Sequence, residues 1–148
     1  MAAVYASQPE LFSQRGFVED TETLGEFGIS IPGKDTCAQG LLKLWPEDFI
    51  VEERGRAGVS SITGAAEVTD TDGATVYATL VKCGVSTMEA VEDIAKALGL
   101  RVAEDIAYAG IKDKAAITAQ RISLRRTSVE AVRGVKSPHF FLKDVHRG

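Results

Sequence analysis

Residues 75–99 read Thr-Val-Tyr-Ala-Thr-Leu-Val-Lys-Cys-Gly-Val-Ser-Thr-Met-Glu-Ala-Val-Glu-Asp-Ile-Ala-Lys-Ala-Leu-Gly, and this stretch decides the fold class. From Thr75 to Cys83, β-branched and aromatic residues dominate, which predicts a strand. Val76, Ala78 and Leu80 then share the face toward a helix, while Tyr77, Thr79 and Val81 point the other way. Ser86-Thr87-Met88-Glu89 has the spacing of a capping box, which satisfies the first free N–H groups of a helix. Met88, Val91, Ile94, Ala95 and Leu98 recur at helical intervals, and Gly99 stands where a left-handed C-cap belongs. A strand followed directly by an amphipathic helix predicts a helix laid on one face of a sheet.

The flanking sequence supports the same reading. Toward the C-terminus, Ile106-Ala107-Tyr108-Ala109 is a short apolar run, Gly110 to Lys114 is polar, and Thr118 to Arg125 alternates, so the order is strand, loop, strand. Phe140 to Val145 opens a further strand, close to the last residue, so the chain reads as cut there. Toward the N-terminus, residues 54–73 are rich in Gly, Ser, Thr and Asp and suit a long loop or hairpin end. Before them, Leu41-Leu42-Lys43-Leu44-Trp45 and Phe49-Ile50-Val51-Glu52-Glu53 are two extended pieces broken at Pro46, with Phe49, Val51 and Glu53 on one face of the second. Residues 1–39 are acidic, contain Pro9 and Pro32, and hold no sustained period, which predicts an irregular N-terminal arm before a folded unit at 40–148. The fold class is therefore α+β, a mixed or antiparallel sheet with a helix on one face.

Charge is graded along the chain. Residues 1–40 hold two basic and six acidic side chains, residues 41–111 six and twelve, and residues 112–148 nine and three. A net charge of −4 excludes a uniformly basic nucleic-acid binder, but the last quarter carries +6. Cys37 and Cys83 form no CxxC or Cys/His cluster, and His139 and His146 have no third ligand beside them, so neither a disulfide framework nor a metal site is expected. Gly55-Arg56-Ala57-Gly58 lacks the Lys-Ser/Thr ending of a phosphate loop. With no apolar run near the roughly 20 residues needed to span a bilayer and no secretory leader pattern, the expected location is the cytoplasm.

The chemistry concentrates in Tyr-Ala-Gly-Ile-Lys-Asp-Lys-Ala-Ala-Ile-Thr-Ala-Gln, residues 108–120. One carboxylate, Asp113, stands between two ammonium groups just past a glycine. Nearby positive charge favours the ionised form that a nucleophile needs. On composition alone, a solvated Lys-Asp-Lys turn explains the same residues.

A resemblance weights the choice. Residues 43–53, Lys-Leu-Trp-Pro-Glu-Asp-Phe-Ile-Val-Glu-Glu, resemble the first motif of the TruD family of tRNA pseudouridine synthases. Residues 109–120 resemble its second motif, Ala-Gly-x-Lys-Asp followed by Thr-x-Gln. Between them, Leu-Val-Lys-Cys-Gly, Ser-Thr and Ala-Leu-Gly-Leu are also similar, so the resemblance runs from about Gly40 to about Arg126. It implies the N-terminal portion of a catalytic domain of the uridine-13 type, with tRNA as partner and no metal or organic cofactor. It further implies Asp113 as nucleophile, Phe49 and Lys43 as substrate contacts, and Lys112 and Gln120 in supporting roles at the substrate site. The family's later Gly-Asn-x-Phe and Asn-Tyr-Phe-Gly-x-Gln-Arg-Phe-Gly segments are not found in this sequence. Two other classes therefore stand beside the enzyme: an inactive RNA-binding remnant, and a structural α+β domain.

Overall fold

In the computed structural model the chain divides into two units, residues 1–42 and 43–148. The structure describes residues 45–56 and 58–148, together with Gly25, Glu26 and Gly28. Apart from Gly25, Glu26 and Gly28, the expected arm at 1–39 lies outside the described residues, as does the first extended piece at 41–45 except for Trp45.

In the second unit a 3₁₀ turn, Pro46–Asp48, leads into β1 (Ile50–Gly55), β2 (Gly58–Ser60) and β3 (Val76–Cys83). Helix α1 (Thr87–Leu98) and the short α2 (Val102–Asp105) follow, then β4 (Ile106–Tyr108), β5 (Ile117–Leu124), α3 (Val129–Gly134) and β6 (Phe140–Arg147). The strands form one mixed sheet in the order β2-β1-β5-β3-β6. Strand β1 runs parallel to β5 from the pair Ile50 and Ile117 onward, whereas β3 is antiparallel to both β5 and β6. The same edge of β5 that pairs β1 at residues 117–119 pairs β4 at residues 122–124. The α+β expectation is borne out, and the polar stretch after β1 contains the short hairpin partner β2.

Alternation dictates the core. Val76, Ala78 and Leu80 of β3 meet Ile122 and Leu124 of β5 beneath α1, α3 and the buried ring of Phe140, while Phe141 turns out to solvent. Burying each large apolar side chain contributes on the order of 1.5–3 kcal/mol. Helix α1 starts and stops where the sequence predicts: Glu89 N donates to Ser86 Oγ at 3.1 Å, Ser86 N donates to Glu89 Oε2 at 2.8 Å, and Gly99 adopts φ 66°.

The buried stripe of α1 matches the expected one at Val91, Ile94 and Ala95 and departs from it at the first turn. Thr87, Ala90, Val91, Ile94 and Ala95 are buried, whereas Met88, expected on the apolar face, is 53% exposed. The spacing from Thr87 is that of an ideal helical face. Bonds made by the Thr87 hydroxyl, described below, hold the helix in that rotation. The two short helices carry too few periodic residues to be read from sequence; Ser128 Oγ caps α3 by accepting from Ala131 N at 3.1 Å.

Candidate functional site

Eight residues, 109–116, join β4 to β5 and carry the Lys-Asp-Lys run. The connection begins at Gly110, whose φ of 73° lies in the left-handed region where a Cβ is unfavourable. From there the chain crosses the end of the sheet and leaves Asp113 and Lys114 exposed.

Beneath the loop lies a buried lysine. On β3 the side chains of residues 76, 78, 80 and 82 share the helix-facing side, so Lys82 extends an otherwise apolar series and is only 1% exposed. Its ammonium has three N–H groups. Nζ lies 3.0 Å from Val85 O, 3.2 Å from Lys112 O and 2.7 Å from Asp113 O, so each donor has a carbonyl acceptor. Burial pushes the Lys82 pKa below the usual lysine value, and the charge of Asp113 is the chief influence opposing that shift.

Other side chains complete the cradle. Thr87 Oγ1 donates to Gln120 Oε1 at 3.0 Å and accepts the Lys112 N–H at 3.0 Å. The fully buried Gln120 donates through Nε2 to Gly110 O at 3.3 Å. Thr118, across from Lys82 in the β3–β5 register, buries a hydroxyl with no protein partner among the described residues. Outside this layer, Lys112 Nζ pairs with Glu53 Oε1 at 3.1 Å and donates to Ala109 O at 3.2 Å; Glu53 Oε2 accepts from Arg121 N at 2.9 Å. Lys114 Nζ pairs with Glu89 Oε1 at 3.1 Å. Hydrogen bonds from the Ser86 backbone and side chain, and then from Lys114, lower the Glu89 pKa to about 2.

Of the sequence-predicted residues, Phe49, Lys112, Asp113 and Gln120 are described, and they fall toward one end of the sheet. Phe49 is half-buried after the 3₁₀ turn, and its carbonyl accepts the Ile117 N–H at 3.1 Å. Since β1 and β5 run parallel, their starts lie together, and the start of β5 is also where the Asp113 loop ends. Lys112 stands over β1 through Glu53, and Gln120 lies under the loop. Lys43 lies outside the described residues. Lys82, Thr87 and Glu53 were not singled out from sequence as site residues. Lys82 had a readable signal: it is a charge in phase with the core positions of β3.

Next to the loop, a surface cleft of about 340 Å³ is lined by Gly84, Val85, Glu89, Glu92, Asp93, Lys114 and His139. Three carboxylates make it unsuited to a phosphate. Among the described residues no three His, Cys, Asp or Glu side chains are grouped to hold a metal ion, and no helix is long and apolar enough to cross a membrane.

Residues 32–148 match the family described as tRNA pseudouridine synthase D (TruD). The tRNA pseudouridine synthase D of Geotalea daltonii is 39% identical over 109 residues, 74% of this chain and 24% of that protein. The probable tRNA pseudouridine synthase D of Pyrobaculum islandicum is 40% identical over 114 residues, 74% of this chain and 27% of that protein. A crystal structure titled as a TruD protein of Methanosarcina mazei is similar at a TM-score of 0.66 and 26% identity, covering 84% of this chain and 26% of that one. The chain spans about a quarter of the length of these relatives.

Proposed function

The chain belongs to the TruD family of tRNA pseudouridine synthases, and from that membership we propose that it carries the reactive aspartate of a cytoplasmic enzyme isomerising uridine to pseudouridine in tRNA. Residues 40–148 form the N-terminal portion of its catalytic domain. The supporting observation is the setting of Asp113: an exposed residue on a loop whose neighbouring backbone groups are tied to buried side chains. A reacting group held in one geometry avoids the entropy loss of finding it.

The reaction breaks the bond between N1 of uracil and C1′ of ribose, turns the base, and joins C5 to C1′. The C5 hydrogen leaves as a proton and N1 gains one, so no oxidant or reductant is consumed. Asp113 attacks C1′, adds to the ring or removes a sugar proton, and each route uses the same ionised oxygen. The uridine must first leave the RNA stack, and Phe49 offers the ring against which it lies. Lys112, paired with Glu53, supports the site electrostatically, Gln120 supports it from below, and Lys43 contacts the RNA.

The test is tritium release from tRNA labelled at uridine C5, using the polypeptide as its gene encodes it. Asp113→Asn keeps the shape and removes the charge, so release is lost while the Kd for tRNA stays within about threefold. Retained turnover overturns the assignment. Salt-sensitive tRNA binding without release in the unmutated protein instead identifies an RNA-binding remnant, a reading favoured by the +6 charge of residues 112–148.

A further inference from the structure

We propose that Lys82 is a positioning residue for the Asp113 loop: its buried ammonium, donating to the carbonyls of Lys112 and Asp113, fixes where the Asp113 carboxylate stands. The inference rests on the reading of Asp113 as the reacting group.

Lysine is almost never fully buried unless its charge is partnered, yet Lys82 is 1% exposed at the C-terminal end of the apolar face of β3. Its partners are all backbone carbonyls, from two separate segments. Val85 O belongs to the connection between β3 and α1, and Lys112 O and Asp113 O belong to the loop. The ammonium therefore joins the strand, the foot of the helix and the loop at one atom. The Asp113 carbonyl is bonded to the same Cα that carries the carboxylate. Holding its peptide plane restricts the direction of the Cα–Cβ bond, and the Lys112 carbonyl restricts the preceding plane. The Thr87 and Gln120 bonds hold the Lys112 N–H and the Gly110 carbonyl, but neither acts on the peptide that follows Asp113. That link is made by Lys82.

The variant is Lys82→Met, which keeps length and removes charge and donors. Hydrogen exchange at the Lys112 amide is expected to quicken at least about tenfold while Val91 and Ile94 in α1 stay unchanged. Single-turnover pseudouridine formation is expected to fall about 100-fold with the Kd for tRNA within about threefold, as misplacing a reacting group by about 1 Å does. Rescue uses Lys82→Cys with Cys37 and Cys83 changed to Ser. Alkylation with bromoethylamine while unfolded, followed by refolding, restores an ammonium of nearly the same length and is expected to recover the rate. Unchanged loop exchange, an unchanged rate or failed rescue overturns the proposal.

If Lys82→Met does not fold, the unmutated chain decides. A slowly exchanging ammonium signal with scalar coupling to the carbonyl carbons of Lys112 and Asp113 supports the anchor, and its absence overturns it. An unmutated protein that makes no pseudouridine overturns the assigned reaction instead, and exchange and the ammonium signal still decide whether Lys82 holds the loop.

Discussion

Two long irregular connections leave the sheet, and a lysine reaches to carbonyls of each. Lys82 projects from the helix-facing side of β3 and bonds Lys112 O and Asp113 O in the connection at 109–116. Lys143, beside Thr79 on the opposite face, donates to Ser61 O at 3.0 Å and to Gly64 O in the connection at 61–75. The donors and acceptors are the same, but the surroundings differ. The Lys143 side chain is 17% exposed, the connection it holds is mostly solvated, and Glu52 Oε1 also grips that connection through the Ser61 hydroxyl and the Ile62 N–H. Water can replace what Lys143 donates. It reaches the 1%-exposed Lys82 and its buried bond to Val85 O less readily, and an unsatisfied buried group costs about 1–3 kcal/mol.

The sharpest way to break this contrast is to delete both amines. Lys82→Met is expected to destabilise the fold by about 2–4 kcal/mol, because the buried Val85 carbonyl and the part-buried carbonyls of Lys112 and Asp113 lose their donor and only part of that loss is offset by removing a buried charge. Lys143→Met is expected to cost about 1 kcal/mol, the net contribution of ordinary hydrogen bonds, since its acceptors lie on a mostly solvated connection. Urea denaturation of both variants measures the difference, and equal losses would erase the distinction between the two connections.

A smaller effect is expected from Gly110→Ala, at about 1–2 kcal/mol, since an alanine at φ 73° strains the backbone where the loop begins. Melting of the variant checks it. A loss confined to the noise would mean that the loop relaxes and that its left-handed start is dispensable.

Charge and donors at Lys82 are separable by pH. The folded pKa is lowered from 10.5, so the folded state releases this proton before the unfolded state does. Stability is therefore expected to rise with pH through the window from that lowered value up to 10.5. The neutral amine keeps two donors, so the loop stays held while the penalty of burying charge disappears. Denaturation across the alkaline range should show this rise in the unmutated chain and its absence in Lys82→Met.

The smallest expected effect lies at Glu89, which is exposed. Its carboxyl is lowered from 4.5 to about 2, so its contribution is present above 4.5 and lost as pH falls through about 2. Glu89→Gln should be less stable than the parent at neutral pH, and the gap should close in acid. A gap independent of pH would mean that the lost charge is not its source.

How much was legible in advance differs between the core and the site. The cap at Ser86, the C-cap at Gly99 and the alternation of β3 are local signals, because caps and strand faces depend on residues within a few positions of each other. Asp113 and Phe49 were found through motifs. That Phe49 lies against the start of β5, where the Asp113 loop ends, was not legible: it depends on β1 pairing parallel to β5 across more than 60 residues of chain. The rotation of α1 that buries Thr87 and exposes Met88 departs from the periodic expectation for a similar reason. Periodicity favours the apolar side chain, and only the distant partners Lys112 and Gln120 give the hydroxyl a reason to turn inward.

By itself, the sequence determined the α+β class, the ends of the main helix, the polar loop before β5 and the family, because each is written in residue types at short, regular spacing. Tertiary structure decided the strand order and the use of Lys82. A lysine on an apolar strand face is unfavourable until three carbonyls from two other segments converge on it. Buried charge is tolerated when it is partnered, and no local pattern can show where those partners will lie.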